Sequence, residues 1–121
     1  MVLIEYGTRT ATTSSPDQRA DRTHRGVRLY LDVTAAAGSQ NLTVQIQGLD
    51  PASDKWVDAT KFSNVSSTGI YQCELYPGAV NTGSVTGLQV QGGSLPRTWR
   101  AVVTHSSTGS WAYSLGAHLV P

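Results

Sequence analysis

From Gly26 to Thr34 the residues Val27, Leu29, Leu31 and Val33 alternate with Arg28, Tyr30, Asp32 and Thr34. A period of two puts all the apolar side chains on one face of an extended strand, the pattern of an antiparallel sheet covered on one side only. Asn41 to Gly48 repeats it, with Leu42, Val44 and Ile46 inward and Thr43, Gln45 and Gln47 outward. The linking Ala35 to Gln40 contains Gly38, a residue that turns freely at positive φ, so the two strands are expected to pair as a hairpin.

The same period recurs along the chain. Turn chemistry at Leu49 to Lys55 precedes a short strand at Trp56 to Thr60, and Ile70 to Tyr76 places Tyr71, Cys73 and Leu75 on one face before Pro77-Gly78 stops it. Arg97 to His105 turns Trp99, Ala101 and Val103 inward behind Pro96, and Ser110 to Val120 does so with Trp111, Tyr113, Leu115, Ala117 and Leu119. The turn Ser106 to Gly109 between them predicts a second hairpin. Val2 to Thr10 is expected at a sheet edge, with Val2, Ile4 and Tyr6 alternating against Leu3, Glu5 and Gly7. Within Ala79 to Leu95 only Val85 to Val90 has the composition to pair.

Seven or eight short strands without a helix predict an all-β fold, an antiparallel β-sandwich in which each half-covered sheet buries its apolar face on the other. Immunoglobulin-like and jelly-roll sandwiches share this alternation, and strand number favours the former. At 121 residues the chain is long enough to bury a core without a disulfide or a metal. It divides into an edge strand with a polar arm over residues 1–24 and a sandwich over residues 25–121.

Charge and motifs narrow the function. Charged residues make up 14% and the net charge is +1, so nothing general drives the chain toward nucleic acid or an anionic membrane. Cys73 stands alone, which excludes an internal disulfide. Met1 to Tyr6 lacks the basic and apolar regions of a signal peptide, and no run approaches the roughly 18 apolar residues of a membrane span. Synthesis in a cytoplasm as a soluble protein is therefore expected, and the sequons at Asn41 and Asn64 are read as chance.

His24, His105 and His118 have no second ligand at metal spacing. Gly83-Ser-Val-Thr-Gly87 lacks the central serine of a nucleophile elbow, and no phosphate-binding or dinucleotide motif is present. Asp50, Asp54 and Asp58 match no calcium-loop spacing and are explained by turns, while Cys73 shares a face with Tyr71 and Leu75 as a small core residue. The expectation is a protein without catalysis, metal or cofactor.

Ala11 to Arg25 has no apolar periodicity. Ser15-Pro16-Asp17-Gln18 resembles a capping box that would allow one helical turn, but an exposed arm is expected. Arg19, Arg22, Arg25 and Arg28 recur every three residues, balanced by Asp17 and Asp21, and form the candidate partner-docking element, since arginine forks grip carboxylates and phosphates. Tyr30, Trp56 and Tyr76 are the candidate glycan-facing aromatics, with cross-strand packing as the favoured role.

Arg25 to Gly38, then Leu42 to Asp58, then Leu95-Pro-Arg-Thr-Trp-Arg, and finally Gly109-Ser-Trp-Ala-Tyr-Ser-Leu-Gly resemble small β-sandwich proteins encoded among the head genes of tailed bacteriophages. The likeness runs from about Arg25 to the C-terminus and lies in scaffold motifs. It implies a virion structural protein, above all a decoration protein on the outside of the major capsid protein lattice, with self-association as a trimer or other oligomer. A tail or baseplate component and a carbohydrate- or receptor-binding module are the alternatives.

Overall fold

The computed structural model describes residues 1–81, 83 and 85–121. Among them there is no helix, and so none long and apolar enough to cross a membrane. Ten strands follow in order: β1 (Val2–Arg9), β2 (Thr13–Ser14), β3 (Gln18–Arg19), β4 (Gly26–Ala35), β5 (Leu42–Leu49), β6 (Trp56–Lys61), β7 (Gly69–Tyr76), β8 (Leu88–Gly92), β9 (Thr98–His105) and β10 (Trp111–Val120). One sheet runs β1-β10-β4-β7-β8; the other runs β2-β9-β5-β6, with β3 also on β9. The expected seven or eight strands become ten because the polar arm supplies two short rungs, β2 and β3; β8, at the sheet edge, overlaps the Val85 to Val90 stretch expected to pair.

The pairing is nested. β1 pairs β10, β2 and β3 pair β9, β4 pairs β7 and β5 pairs β6, all antiparallel, so the chain is one long hairpin folded back on itself. Its tip is the turn between β5 and β6, where the Asp50 N–H donates to Lys55 O at 2.9 Å and Asp54 sits at φ 61°. Rolling that ribbon up adds the lateral pairs β10–β4 and β9–β5.

This topology overturns both expected hairpins. β4 and β5 lie in different sheets, and so do β9 and β10. Their connecting segments, residues 36–41 and 106–110, cross the roughly 10 Å between packed sheets instead of turning within one. They cross side by side: Ser106 N–H donates to Asn41 O at 3.0 Å, Asn41 N–H to Ser106 Oγ at 2.9 Å and Gly109 N–H to Gln40 Oε1 at 2.9 Å. The purely antiparallel expectation also fails at one edge, where β8 runs parallel to β7.

Core composition follows the alternation closely. Val27, Leu29 and Leu31 of the first sheet and Leu42, Ile46 and Trp99 of the second are fully buried in one continuous cluster, each aliphatic side chain contributing roughly 1.5–3 kcal/mol of burial. β1 departs from the alternation: Leu3 and Ile4 are both buried while Val2 and Tyr6 are exposed. Register shifts between Val2 and Ile4 and between Ile4 and Gly7 explain this, because an extra residue turns its neighbour to the other face.

The expected free arm is stitched to β9. Ser15 is buried; its N–H donates to Ala101 O at 2.8 Å and its Oγ accepts from Ala101 N–H at 2.9 Å. Ala20 is buried too, with its N–H on Arg97 O at 2.8 Å. No helical turn forms at Ser15–Gln18, because β9 offers these polar backbone groups a ladder that an isolated turn does not.

Candidate functional site

Register brings polar side chains into rows on the outer face of the second sheet. Gln47 stands opposite Arg100 on one side and Asp58 on the other, and Leu49 stands opposite Trp56. Thr104 Oγ1 donates to Gln45 Oε1 at 2.7 Å, Gln45 Nε2 to Asp58 Oδ2 at 3.3 Å and Gln47 Nε2 to Asp58 Oδ1 at 3.0 Å. Arg100 Nε donates to Gln47 Oε1 at 2.9 Å, and its guanidinium carbon lies 4.5 Å from the centre of the Trp56 ring. Each group in this row is hydrogen-bonded to, or stacked on, its neighbour.

The docking arginines proposed from sequence separate into two sets. Arg19 is exposed on β3 opposite Thr98, and Arg22 and Arg25 are exposed in the segment leading to β4. Backbone bonds from Ala20 to Arg97 and from Leu95 to Arg25 bring exposed Arg97 to the same end of the molecule. Arg28 is set apart: on the outer face of the first sheet, its Nη2 lies 3.0 Å and its Nε 3.1 Å from Glu74 Oε1, and Nη1 donates to Gln72 Oε1 at 3.3 Å. Its grip is already taken. Asp17 is exposed, while Asp21 accepts from the Thr23 hydroxyl at 2.6 Å and the Thr23 N–H at 2.8 Å, bonds that hold its carboxyl below the usual range.

The three aromatics share no platform. Tyr30 and Tyr76 belong to the first sheet, where the Tyr30 hydroxyl lies 3.1 Å from His118 Nδ1 and the Tyr76 hydroxyl donates to Pro121 O at 3.0 Å. Trp56 belongs to the second, with one ring face covered by Arg100. Arg97 and Arg100 carry no site signal in the sequence as long as β9 is expected to pair with β10. With β5 as its neighbour, an outward arginine between inward Trp99 and Ala101 becomes a visible signal.

A cavity of about 230 Å³ is lined by Ser63, Asn64, Tyr71, Cys73 and Gln89 among others. Burial pushes the Cys73 thiol up to about 12, so it is no nucleophile at neutral pH. Asp50 spends its oxygens on its own turn, accepting from Ala52 N–H at 2.9 Å and Ser53 Oγ at 2.8 Å. Among the described residues no three His, Cys, Asp or Glu side chains gather around a metal-sized space. Ser84, in the glycine-flanked stretch, lies outside the described residues.

Compared with protein-family models and with curated proteins, the chain matches none.

Proposed function

We propose that this chain is a non-enzymatic structural protein of a tailed-bacteriophage virion, a decoration protein that docks on the outside of the major capsid protein lattice and stabilises the head. The residue resemblance over about 25–121 supplies the virion context. The observation that carries a docking role is the outer face of the second sheet, where Thr104, Gln45, Asp58, Gln47, Arg100 and Trp56 form one interlocked row. A hydrogen-bonded polar face of this kind, with an arginine stacked on a tryptophan, suits binding to another protein surface.

In finer terms we infer a jelly roll in place of the immunoglobulin-like arrangement favoured by strand number. With β2 and β3 counted as one interrupted strand and β8 as an addition, eight strands form the orders β1-β10-β4-β7 and β2/β3-β9-β5-β6. That is a rolled-up antiparallel hairpin, an architecture found in viral capsid and lectin domains. Fold alone does not assign function, so the docking face carries the argument. Many copies, each held weakly, bind a lattice firmly when neighbours also touch.

The test is to mix the purified protein with undecorated, expanded capsids of a candidate phage and count bound copies by cosedimentation and cryo-electron microscopy. Regular, stoichiometric density on the shell is expected, and alanine at Arg19, Arg22 and Arg25 in the same assay measures whether the basic end takes part. Absence of shell binding, with binding to tails or to a glycan array in its place, overturns the decoration reading.

A further inference from the structure

Arg28 on β4 of one sheet and Arg100 on β9 of the other each face a cross-strand neighbour that decides what the guanidinium can grip. On the first sheet Arg28 stands opposite Glu74, which takes Nε and Nη2, and Gln72 takes Nη1. On the second sheet Arg100 stands opposite Gln47, a neutral amide that takes only Nε. Among the described residues Nη1 and Nη2 of Arg100 have no hydrogen-bond partner, and no carboxylate lies within ion-pair distance of it. The molecule thus contains a filled and an unfilled version of the same fork.

The unfilled fork is held ready. One hydrogen bond holds the root of the guanidinium, and its carbon lies over the Trp56 ring at 4.5 Å, a cation–π contact that restrains it further. Gln47 is itself hydrogen-bonded to Asp58 at 3.0 Å, which holds its amide oxygen toward Nε. A planar cation restrained in this way loses little freedom when two oxygens approach, and arginine and tryptophan side by side are the residue types that dominate binding at protein interfaces.

We propose that Arg100, positioned by Gln47 and Trp56, is a recognition anchor for a carboxylate side chain of a protein partner. The inference deepens the docking reading above by naming the group that the face grips, and rests on it only for the partner's identity. A single negative charge matches what the face offers. Asp58, one strand beyond Gln47, repels every anion, but a chain of phosphates more than a single carboxylate, and a polyanion would call for a row of cations where the neighbours are glutamines. The partner's Asp or Glu would close the fork as Glu74 closes it around Arg28, with two parallel N–H···O bonds.

The test follows the arginine side-chain resonances of the full-length, ¹⁵N-labelled protein by NMR while N-acetyl-glutamate methylamide, a single-carboxylate probe, is added at constant ionic strength. Inorganic phosphate is titrated in parallel. Arg100 is expected to saturate about tenfold more tightly than Arg22 and Arg25, the exposed internal controls, and Trp56→Ala is expected to remove the difference. Equal affinities at Arg100 and Arg22, or phosphate binding Arg100 more tightly than the carboxylate does, overturn the proposal. Arg100→Lys, which keeps the charge and loses the fork, is expected to weaken capsid binding, and equal binding by variant and wild type would overturn Arg100 as the anchor. If the probe binds and wild-type protein fails to bind capsids, the anchor stands and the virion assignment falls. If the probe does not discriminate, the anchor falls whatever the capsids show.

Discussion

His105 Nε2 lies 2.9 Å from the hydroxyl of Tyr113, and through that contact the end of β9 in one sheet is fastened to β10 in the other. Tyr113 is wholly buried, and the Arg9 guanidinium stands over its ring at 5.3 Å. Tyr113→Phe removes the fastening and leaves the imidazole without its partner. A loss of about 1 kcal/mol in urea-unfolding free energy is expected. No loss would show that the bond adds nothing beyond the packing of the ring.

The same contact predicts a pH dependence. Burial, and then the charge of Arg9, lower the pKa of His105, so the folded chain holds it neutral where the unfolded chain has begun to protonate. In that interval the unfolded state binds more protons, and stability rises with pH. The urea midpoint should therefore be flat above about pH 6.5, the ordinary imidazole value, and fall as the pH drops below it. His105→Gln should flatten that fall; an unchanged slope would place its origin elsewhere.

Ser15 tests whether the N-terminal segment is an integral part of the sheet. Its hydroxyl is the buried acceptor of the Ala101 N–H, and Ser15→Ala leaves that N–H without one. A cost of about 1–3 kcal/mol is expected, against almost none for Pro16→Ala, an exposed neighbour. Equal, negligible effects would return the segment to a loosely attached arm.

Gly26 starts β4 against the end of β7. A Cβ there would run into the carbonyl oxygen of Leu75 and come within 2.7 Å of Tyr76 Cδ2, and a backbone oxygen has little room to yield. Gly26→Ala should cost about 3 kcal/mol or more, at the upper end for overpacking, whereas Gly38→Ala, with nothing within 4 Å, should be tolerated. Comparable melting temperatures for the two variants would contradict the close approach.

Cys73 offers a direct probe of the core. With its thiol buried and its pKa raised to about 12, it should react negligibly with a thiol reagent such as DTNB at pH 8 in the native protein and rapidly in urea. Fast native labelling would mean that the cavity beside Tyr71 and Gln89 admits reagent to the sulfur.

Much of the core was legible. Val27, Leu29, Leu31 and Val33, then Leu42, Val44 and Ile46, then Trp111, Tyr113, Leu115 and Ala117 are buried as their alternation requires. The candidate site was legible only in pieces. Trp56 stood out as an aromatic, but the residue that covers it, Arg100, comes from β9, and the two meet across β5. Nothing local to either residue specifies that meeting.

Alternation is a property of each strand alone, since consecutive side chains point to opposite faces whatever lies alongside. From it the sequence by itself determined the all-β class and the inward set of the main strands. Which strand became whose neighbour was decided only by the tertiary structure, because a six-residue link serves a turn within a sheet or a crossing between sheets equally well. Rolling the long hairpin around one shared core buries both apolar faces together. That collective gain sent β4 and β5 to opposite sheets, drew the polar N-terminal segment onto β9, and set Arg100 over Trp56.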